Sequence, residues 1–193
     1  VVFGKGEWRI EPNLGENAAV LEKMKRNLVE VIDNDDFQMD SILVAAACSP
    51  EGRYELNEKL SGKRGEEIKR YLVGCMEYFR DSVKRSVWDM DSDEMEGDAF
   101  YKDDEDDEDF DGMIRVTGIS EDWESLYRMV GQDSVLDGAA LVKKCTAVKD
   151  MDERERVLLE SGDREYICSE IYPKLRRVRF NFKLHRKGMI KDT

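Results

Sequence analysis

Hydrophobic positions along the chain follow helical spacing in some stretches and strand spacing in others. Between residues 13 and 34, apolar residues recur three and four positions apart at Leu21, Met24 and Leu28, which predicts a helix with one buried face. Residues 41–47 form a continuous apolar run of strand length, as expected for a strand covered on both faces. The first half of the chain therefore predicts a helix followed by a central strand.

A second helix is predicted after the turn at residues 49–52, beginning near residues 54–60. Its apolar stripe consists of Ile68, Leu72, Cys75, Met76, Phe79, Val83 and Val87. A short strand follows at 114–119, and residues 121–171 are mainly helical in pattern. In residues 177–184 apolar and polar residues alternate, which is typical of a strand with one exposed face. Val1 to Phe3 can serve as a short first strand.

This order of elements predicts an α+β fold of the form β-α-β-α-β-(helical insert)-β. We expect a four-stranded mixed sheet with helices packed on one side. Residues 1–193 are interpreted as a single domain, with an acidic insertion at 89–113 and a helical insertion at 120–172, before the last strand. The chain opens on Val1 rather than Met, so we interpret it as an excerpt of a longer protein, in which a missing signal peptide says nothing about secretion.

The formal net charge of −13 has one local source. Residues 89–111 contain 14 acidic residues and one basic residue, whereas the rest of the chain has 30 of each. Because the balanced remainder offers no broad cationic footprint, we expect no nucleic-acid partner and no bulk binding to anionic lipid. No apolar run approaches the ~20 residues of a membrane-spanning helix, so direct membrane insertion of this segment is not expected.

Metal and nucleophile chemistry find little support in the sequence. The four cysteines lack CxxC spacing, and the single histidine, His185, follows the last strand, where it is poorly placed as a catalytic base. Cys145 and Cys168 could pair across a helical hairpin or remain free. A calcium-loop pattern begins at Asp89 but lacks the Gly at its sixth position and the Glu at its twelfth. We expect no metal, no cofactor and no catalytic activity; a calcium-responsive acidic module is a third hypothesis.

The candidate site is the turn after the apolar strand together with the helix that follows. In α/β sheets, ligands bind where strand ends face helix starts, because backbone amides point outward there. Asn57 and Arg64 are seven residues apart and therefore share one helix face, where an amide and a guanidinium suit a carboxylate. Each residue also has a structural interpretation, Asn57 as a helix cap and Arg64 as a surface arginine.

This passage resembles the C-terminal domain of OmpA-like proteins, in which a strand end is followed by Gly and by Asn-x-x-Leu-Ser-x-x-Arg. The matching residues are Gly52, Asn57, Leu60, Ser61, Arg64, Tyr71 and Leu72. Residues 1–12 and 175–178 also resemble the first and last strands of the family. The Ser-Pro-Glu-Gly turn is similar to that of a divergent branch. The resemblance covers about half of the chain, and both insertions lie outside it.

The resemblance implies a non-catalytic module that binds the stem peptide of peptidoglycan in the periplasm of a Gram-negative bacterium, associated with the outer membrane or cell wall. In the family, an Asp at the strand end holds the ammonium group of diaminopimelate, and the helix Arg holds its carboxylate. Arg64 corresponds to that Arg, and Ser49 stands in place of the Asp. Because serine supplies no countercharge, Glu51 is our hypothetical substitute, and Asn57 and Leu60 complete the predicted site.

An alternative keeps the fold but not the ligand. In it, the domain has lost wall binding and acts as a protein–protein interaction scaffold in an envelope assembly, contacting other envelope proteins through its insertions. Glu121, Asp122 and Trp123 follow the third predicted strand and could line the rim near Arg64, unless Trp123 belongs to the core. An open polar cleft near Arg64 favours the stem peptide, whereas a rim filled by Trp123 or by the insertion favours the scaffold.

Overall fold

The computed structural model describes residues 1–91 and 109–188 of the chain. Outside the helical insertion, the elements in chain order are α1 (Asn17–Ile32), β1 (Phe37–Ala47), α2 (Tyr54–Asp91), α3 (Phe110–Met113), β2 (Ile114–Ile119) and β3 (Val178–Arg186). Apart from the short first strand, the predicted helices and strands are present, and β2 has the predicted bounds. Most of the predicted acidic insertion at 89–113 lies outside the described residues, as do the side chains of Val83 and Val87.

The helical insertion lies between β2 and β3. It consists of α4 (Trp123–Gln132), α5 (Gly138–Thr146), α6 (Met151–Leu159), α7 (Arg164–Tyr166), a π-helical turn (Ile167–Ile171) and α8 (Tyr172–Leu175). These helices build a second hydrophobic core of their own around Leu126, Leu158 and Tyr172. Trp123 is buried in that core, as the core interpretation of this residue predicted. Cys145 and Cys168 are both free thiols.

The sheet is mixed, which confirms the α+β class, but the described residues form three strands rather than four. The order is β2-β1-β3, with β1 parallel to β2 and antiparallel to β3. The predicted first strand is reduced to one isolated bridge between Val2 and Arg177. The chain leaves the sheet edge because it turns at Gly6, where φ is +69°, and because the carbonyls of Gly4 and Glu7 accept hydrogen bonds from Arg64.

The helices α1 and α2 pack on one face of the sheet, as predicted. Ile42, Val44 and Ala46 of β1 point into this core and are buried. Leu43 and Ala45 alternate with them and are only half-buried, so the expectation of a strand covered on both faces was wrong. The apolar run arises because small and aliphatic residues occupy the second face as well. None of the described helices is long and apolar enough to cross a bilayer.

Helix α2 contacts β2 closely at a glycine. A Cβ atom added to Gly65 would overlap Cγ1 of Val116 and would also lie 3.6 Å from Cβ of Ala46. Beyond the helix's own backbone and the neighbouring residues, no heavy atom of the described chain lies within 4 Å of the equivalent position at Gly62. Gly65 therefore allows α2 to approach the sheet, and this approach places the start of α2 beside the end of β1.

Candidate functional site

All five residues predicted for the site line one cleft at the carboxyl end of β1. The cleft has a volume of about 170 Å³ and is lined by Ser49, Glu51, Asn57, Leu60 and Arg64, together with Lys5, Arg53 and Arg176. Four of the described lining residues named here are cations, and Glu51 is the one carboxylate among them. A cleft with this balance of charge suits a ligand that carries an anionic group.

Arg64 forms the floor of the cleft and is completely buried, with no exposed surface. Its donors are directed at protein acceptors: Nε to Glu7 O at 2.9 Å, Nη1 to Ala47 O at 3.1 Å and Cys48 Sγ at 3.2 Å, and Nη2 to Gly4 O at 3.0 Å. No two parallel N–H groups remain for bidentate binding of a carboxylate. The predicted open guanidinium fork is therefore not present; Arg64 instead joins the N-terminal loop to the end of β1.

Burial lowers the pKa of the Arg64 guanidinium, and the nearby charge of Arg176 lowers it further. The shift is a consequence of desolvation without a carboxylate in direct contact, because the acceptors are carbonyl dipoles and a thiol. The guanidinium remains a cation at neutral pH, since its ordinary pKa is far above 7. Arg64 thus gives the cleft a fixed positive charge that its own contacts offset only in part.

Glu51 is the centre of the polar contacts at the mouth of the cleft. Its Oε2 atom lies 2.6 Å from Nη2 of Arg176, and its Oε1 atom lies 2.6 Å from Nζ of Lys5. The Arg176 side chain is 11% exposed and that of Lys5 is 71% exposed, so the first pair is enclosed and the second is open to solvent. Arg176 Nε also donates to the Ser49 hydroxyl at 3.3 Å. Ser49 thus helps to orient the partner of Glu51.

Asn57 connects the turn to the residues after β2. Its side-chain amide donates to Glu121 Oε1 at 3.0 Å and to the backbone carbonyl of Glu51 at 3.4 Å. Trp123 Nε1 donates to the other oxygen of Glu121 at 2.7 Å. Burial raises the pKa of the Glu121 carboxyl, although both hydrogen bonds favour its charged form. The predicted cap residue therefore acts as a bridge between two segments rather than as a simple helix cap.

Two carboxylates of the helical insertion bind the backbone amides at the start of α2. Asp152 Oδ1 accepts from the Tyr54 N–H at 2.8 Å, and both oxygens of Glu155 accept from the Gly52 N–H, at 3.3 and 3.2 Å. Burial, followed by repulsion from Glu121 and other nearby acids, raises the pKa of Glu155 to about 7. These amides are the groups that were expected to face a ligand, and the insertion occupies them.

Sequence reasoning missed Lys5, Arg176, Asp152 and Glu155. Arg176 precedes β3 in a run of basic residues, and only the antiparallel pairing of β3 with β1 brings it to Glu51. The two acids of α6 lie about a hundred positions from the turn, and no spacing pattern links them to it. Among the described residues, no group of three or more His, Cys, Asp or Glu side chains is arranged to hold a metal ion.

A larger cavity, of about 690 Å³, lies between α1 and α2. It is lined mainly by apolar and aromatic side chains, among them Leu28, Val29 and Phe79, and by none of the five predicted residues. We place the candidate site at the smaller cleft because the smaller cleft contains the buried charges and the convergent polar groups.

Comparison with models of known protein families and with curated proteins finds no match for this chain.

Proposed function

We propose that this domain is a non-covalent peptidoglycan-binding module that holds the stem peptide in the cleft at the end of β1. The proposal extends to an OmpA-like domain with two insertions, located in the periplasm and associated with the outer membrane or cell wall. It requires a group that accepts an ammonium ion and a group that attracts a carboxylate, close together in a cleft that excludes part of the solvent. Glu51 provides the first, and Arg64 and Arg176 provide the second.

The observation that carries the proposal is the contact between Lys5 and Glu51. The Lys5 ammonium group lies 2.6 Å from Oε1 of Glu51 at the mouth of the cleft. A diaminopimelate side chain would present an ammonium group to the Asp that Ser49 replaces here. Glu51 already binds an ammonium group, that of Lys5, in this geometry. Because the Lys5 side chain is 71% exposed, the pair contributes little to stability and a ligand ammonium can displace it.

The anionic end of the ligand is attracted by the charges behind Glu51. Arg64 is fixed at the floor of the cleft, Arg176 is held against Glu51 and Ser49, and Arg53 is exposed at the rim. In this mechanism Arg64 acts through its charge and through the backbone it holds, and not by direct contact with the ligand.

A second candidate function, the interaction scaffold, is favoured by the contacts of the helical insertion. Asp152 and Glu155 occupy the amides of Tyr54 and Gly52, which would otherwise be free to bind a carboxylate. In the scaffold, these contacts hold the insertion in place for a protein partner, and the cleft is a remnant. Wall binding separates the two candidates, because the scaffold does not require it.

The test is co-sedimentation with purified sacculi whose stem peptides contain diaminopimelate, at physiological salt. Glu51→Gln removes the ammonium acceptor, and loss of such a charge-assisted contact costs roughly 1.5–3 kcal/mol, or about 10- to 150-fold in affinity. Lys5→Ala removes the internal competitor, and we expect binding about two- to fivefold tighter, since an exposed ion pair is worth up to about 1 kcal/mol.

Glu22→Gln serves as the matched control, because it makes the same chemical change on the exposed surface of α1. It should bind sacculi like the native chain. Opposite effects of Glu51→Gln and Lys5→Ala would support the proposal, and a thermal melt of each variant would exclude unfolding as the cause. Failure of both the native chain and Lys5→Ala to sediment would instead favour the scaffold.

A further inference from the structure

The face of the sheet opposite α1 and α2 is formed by residues of all three strands. Leu43 and Ala45 lie at its centre on β1 and are half-buried. Arg115 is the register partner of Leu43 on β2, and Arg179 is the partner of Ala45 on β3. Lys183 follows along β3, opposite Ser41. An apolar centre is therefore flanked on both neighbouring strands by long cationic side chains.

The cations of this face are incompletely neutralised. The side chains of Arg115 and Lys183 are exposed, and neither side chain makes a hydrogen bond or ion pair with another residue in the described part of the chain. Arg179 shares Asp122 with Arg177, at Nη2–Oδ2 distances of 3.1 and 3.9 Å. Arg128 lies close to Arg177, since both donate to the Ser125 hydroxyl, at 3.3 and 3.2 Å, and Asp40 pairs with His185 of β3 at 3.0 Å. Among the described residues named here, five basic side chains stand against the two carboxylates of Asp122 and Asp40.

This basic face belongs to a chain whose net charge is −13. The contrast restricts the partner. An extended anionic surface, such as a lipid bilayer, contacts a wider area of the molecule than this face, and outside the face the net charge is negative. A short segment in contact with the face feels mainly the charges within about 8 Å, the screening length at physiological salt. The charge distribution therefore favours a compact acidic partner over an anionic membrane.

The spacing of the cations indicates the conformation of that partner. Arg179 and Lys183 are four residues apart on one strand, about 13 Å at the rise of a β-strand. In an extended segment laid along β3, acidic side chains at positions i and i+4 have the same separation and point the same way. The side chain at i+2 would then lie over Leu43 and Ala45, where an apolar residue is best accommodated.

We propose that this sheet face is a docking surface for an extended, acidic polypeptide segment of a partner protein, with acidic residues four positions apart and an apolar residue between them. Arg115, Arg179 and Lys183 contact the acidic residues, and Leu43 and Ala45 contact the apolar one. The proposal is independent of the cleft at the end of β1. It concerns the other face of the sheet and a different ligand chemistry.

The unbroken acidic run at 103–108 has the same chemistry as the proposed partner, so the experiment removes the charge of this run. In a background variant, the acidic residues at 103–108 are replaced by their amides. Asp109 and Asp111 are retained because Asp109 caps α3 through the Gly112 N–H and Asp111 pairs with Lys69. Binding is measured on the native chain and on this background in parallel.

The probe is a fluorescent peptide of three Glu-Ser-Leu-Ser repeats, and binding is followed by fluorescence anisotropy at about 50 mM and about 300 mM salt. In the background chain we expect saturable binding that weakens at higher salt. Arg115→Glu combined with Lys183→Glu should weaken it about tenfold or more, since two attractive contacts become repulsive. Lys25→Glu with Lys143→Glu makes the same change of charge elsewhere, on α1 and α5, and should alter affinity less than about twofold.

Three results would overturn the proposal. One is the absence of binding by both chains up to about 1 mM peptide, which corresponds to a negligible affinity. Another is equal binding of a peptide with Gln in place of Glu, because the recognition would then not be electrostatic. The third is binding of the background chain to vesicles of anionic lipid without binding to the peptide, which would assign the face to a membrane.

Discussion

Arg64 has the same role in either candidate function, because its partners are parts of the chain itself. The guanidinium donates to the carbonyls of Gly4, Glu7 and Ala47, and the Gly4 carbonyl also accepts from the Glu7 N–H at 3.2 Å. A buried carbonyl that loses its donor costs about 1–3 kcal/mol. Arg64 therefore stabilises the N-terminal loop and, through it, the position of Lys5 at the cleft.

Replacement of Arg64 by Ala should destabilise the domain strongly. We expect a loss of at least about 3 kcal/mol in the free energy of unfolding, because the carbonyls of Glu7 and Ala47 lose the Arg64 donor and a cavity remains. Arg70→Ala is the control on the same helix, since Arg70 is exposed and pairs only with Glu67 among the described residues; it should cost less than about 1 kcal/mol. Urea denaturation followed by circular dichroism measures both, and equal costs would contradict the structural role of Arg64.

The sequence could predict where Arg64 lies but not what it binds. The seven-residue spacing between Asn57 and Arg64 predicted that they share one face of a helix, and both do line the same cleft. The acceptors are backbone carbonyls of residues 4, 7 and 47, and backbone groups have no signature in a sequence. The ion pairs of Glu51 could not be predicted either, because its partners Lys5 and Arg176 come from opposite ends of the chain.

At the scale of elements, two glycines three positions apart on α2 have different roles. Gly62 faces open space, so an added methyl group meets no neighbour and only reduces the freedom of the unfolded chain. Gly65 lies against Val116 and Ala46, where a methyl group would separate the helix from the sheet. Helix propensity favours alanine at both positions, by about 1 kcal/mol. Only packing distinguishes them.

Gly62→Ala should therefore stabilise the domain by about 0.5–1 kcal/mol, and Gly65→Ala should destabilise it by about 1–3 kcal/mol. Each variant is the control for the other, because the chemical change and the helix are the same. Thermal unfolding measures the difference in sign. If both variants were stabilised, α2 would not approach β2 as closely as the structure has it.

Elements were predictable where one face of a helix or strand is buried in the main core. The stripes of α1 and α2 and the alternation in β3 produced correct positions, because burial on one face imposes the period. The short first strand failed for a different reason. Val1 to Phe3 is too short to have a period, and the loop after it is held by Arg64 rather than by a neighbouring strand.

At the scale of the whole molecule, two hydrophobic cores are joined through the polar turn at the end of β1. One core lies between the sheet and the helices α1 and α2, and the other lies within the helical insertion. The insertion could be predicted as helical, but its docking could not, since it depends on single acids of α6 that bind backbone amides. Glu155 is the most sensitive of these contacts, because its carboxylate is partly buried beside other acids.

The pH dependence of stability tests this junction. The pKa of Glu155 is about 7 in the folded chain against 4.5 ordinarily, so the folded state binds the proton more tightly. The proton on Glu155 therefore stabilises the folded state fully below about pH 4.5, and this stabilisation is lost as pH rises through 7. The loss in the free energy of unfolding is about 1–2 kcal/mol, a value reduced for the partial exposure of the group. Glu155→Gln should abolish this pH-dependent part of the stability.

The measurement is urea denaturation of both chains from pH 5 to 8. The difference between native and variant isolates Glu155 from the acidic stretch, which is identical in both. A difference that does not change with pH would mean that Glu155 does not titrate at the junction.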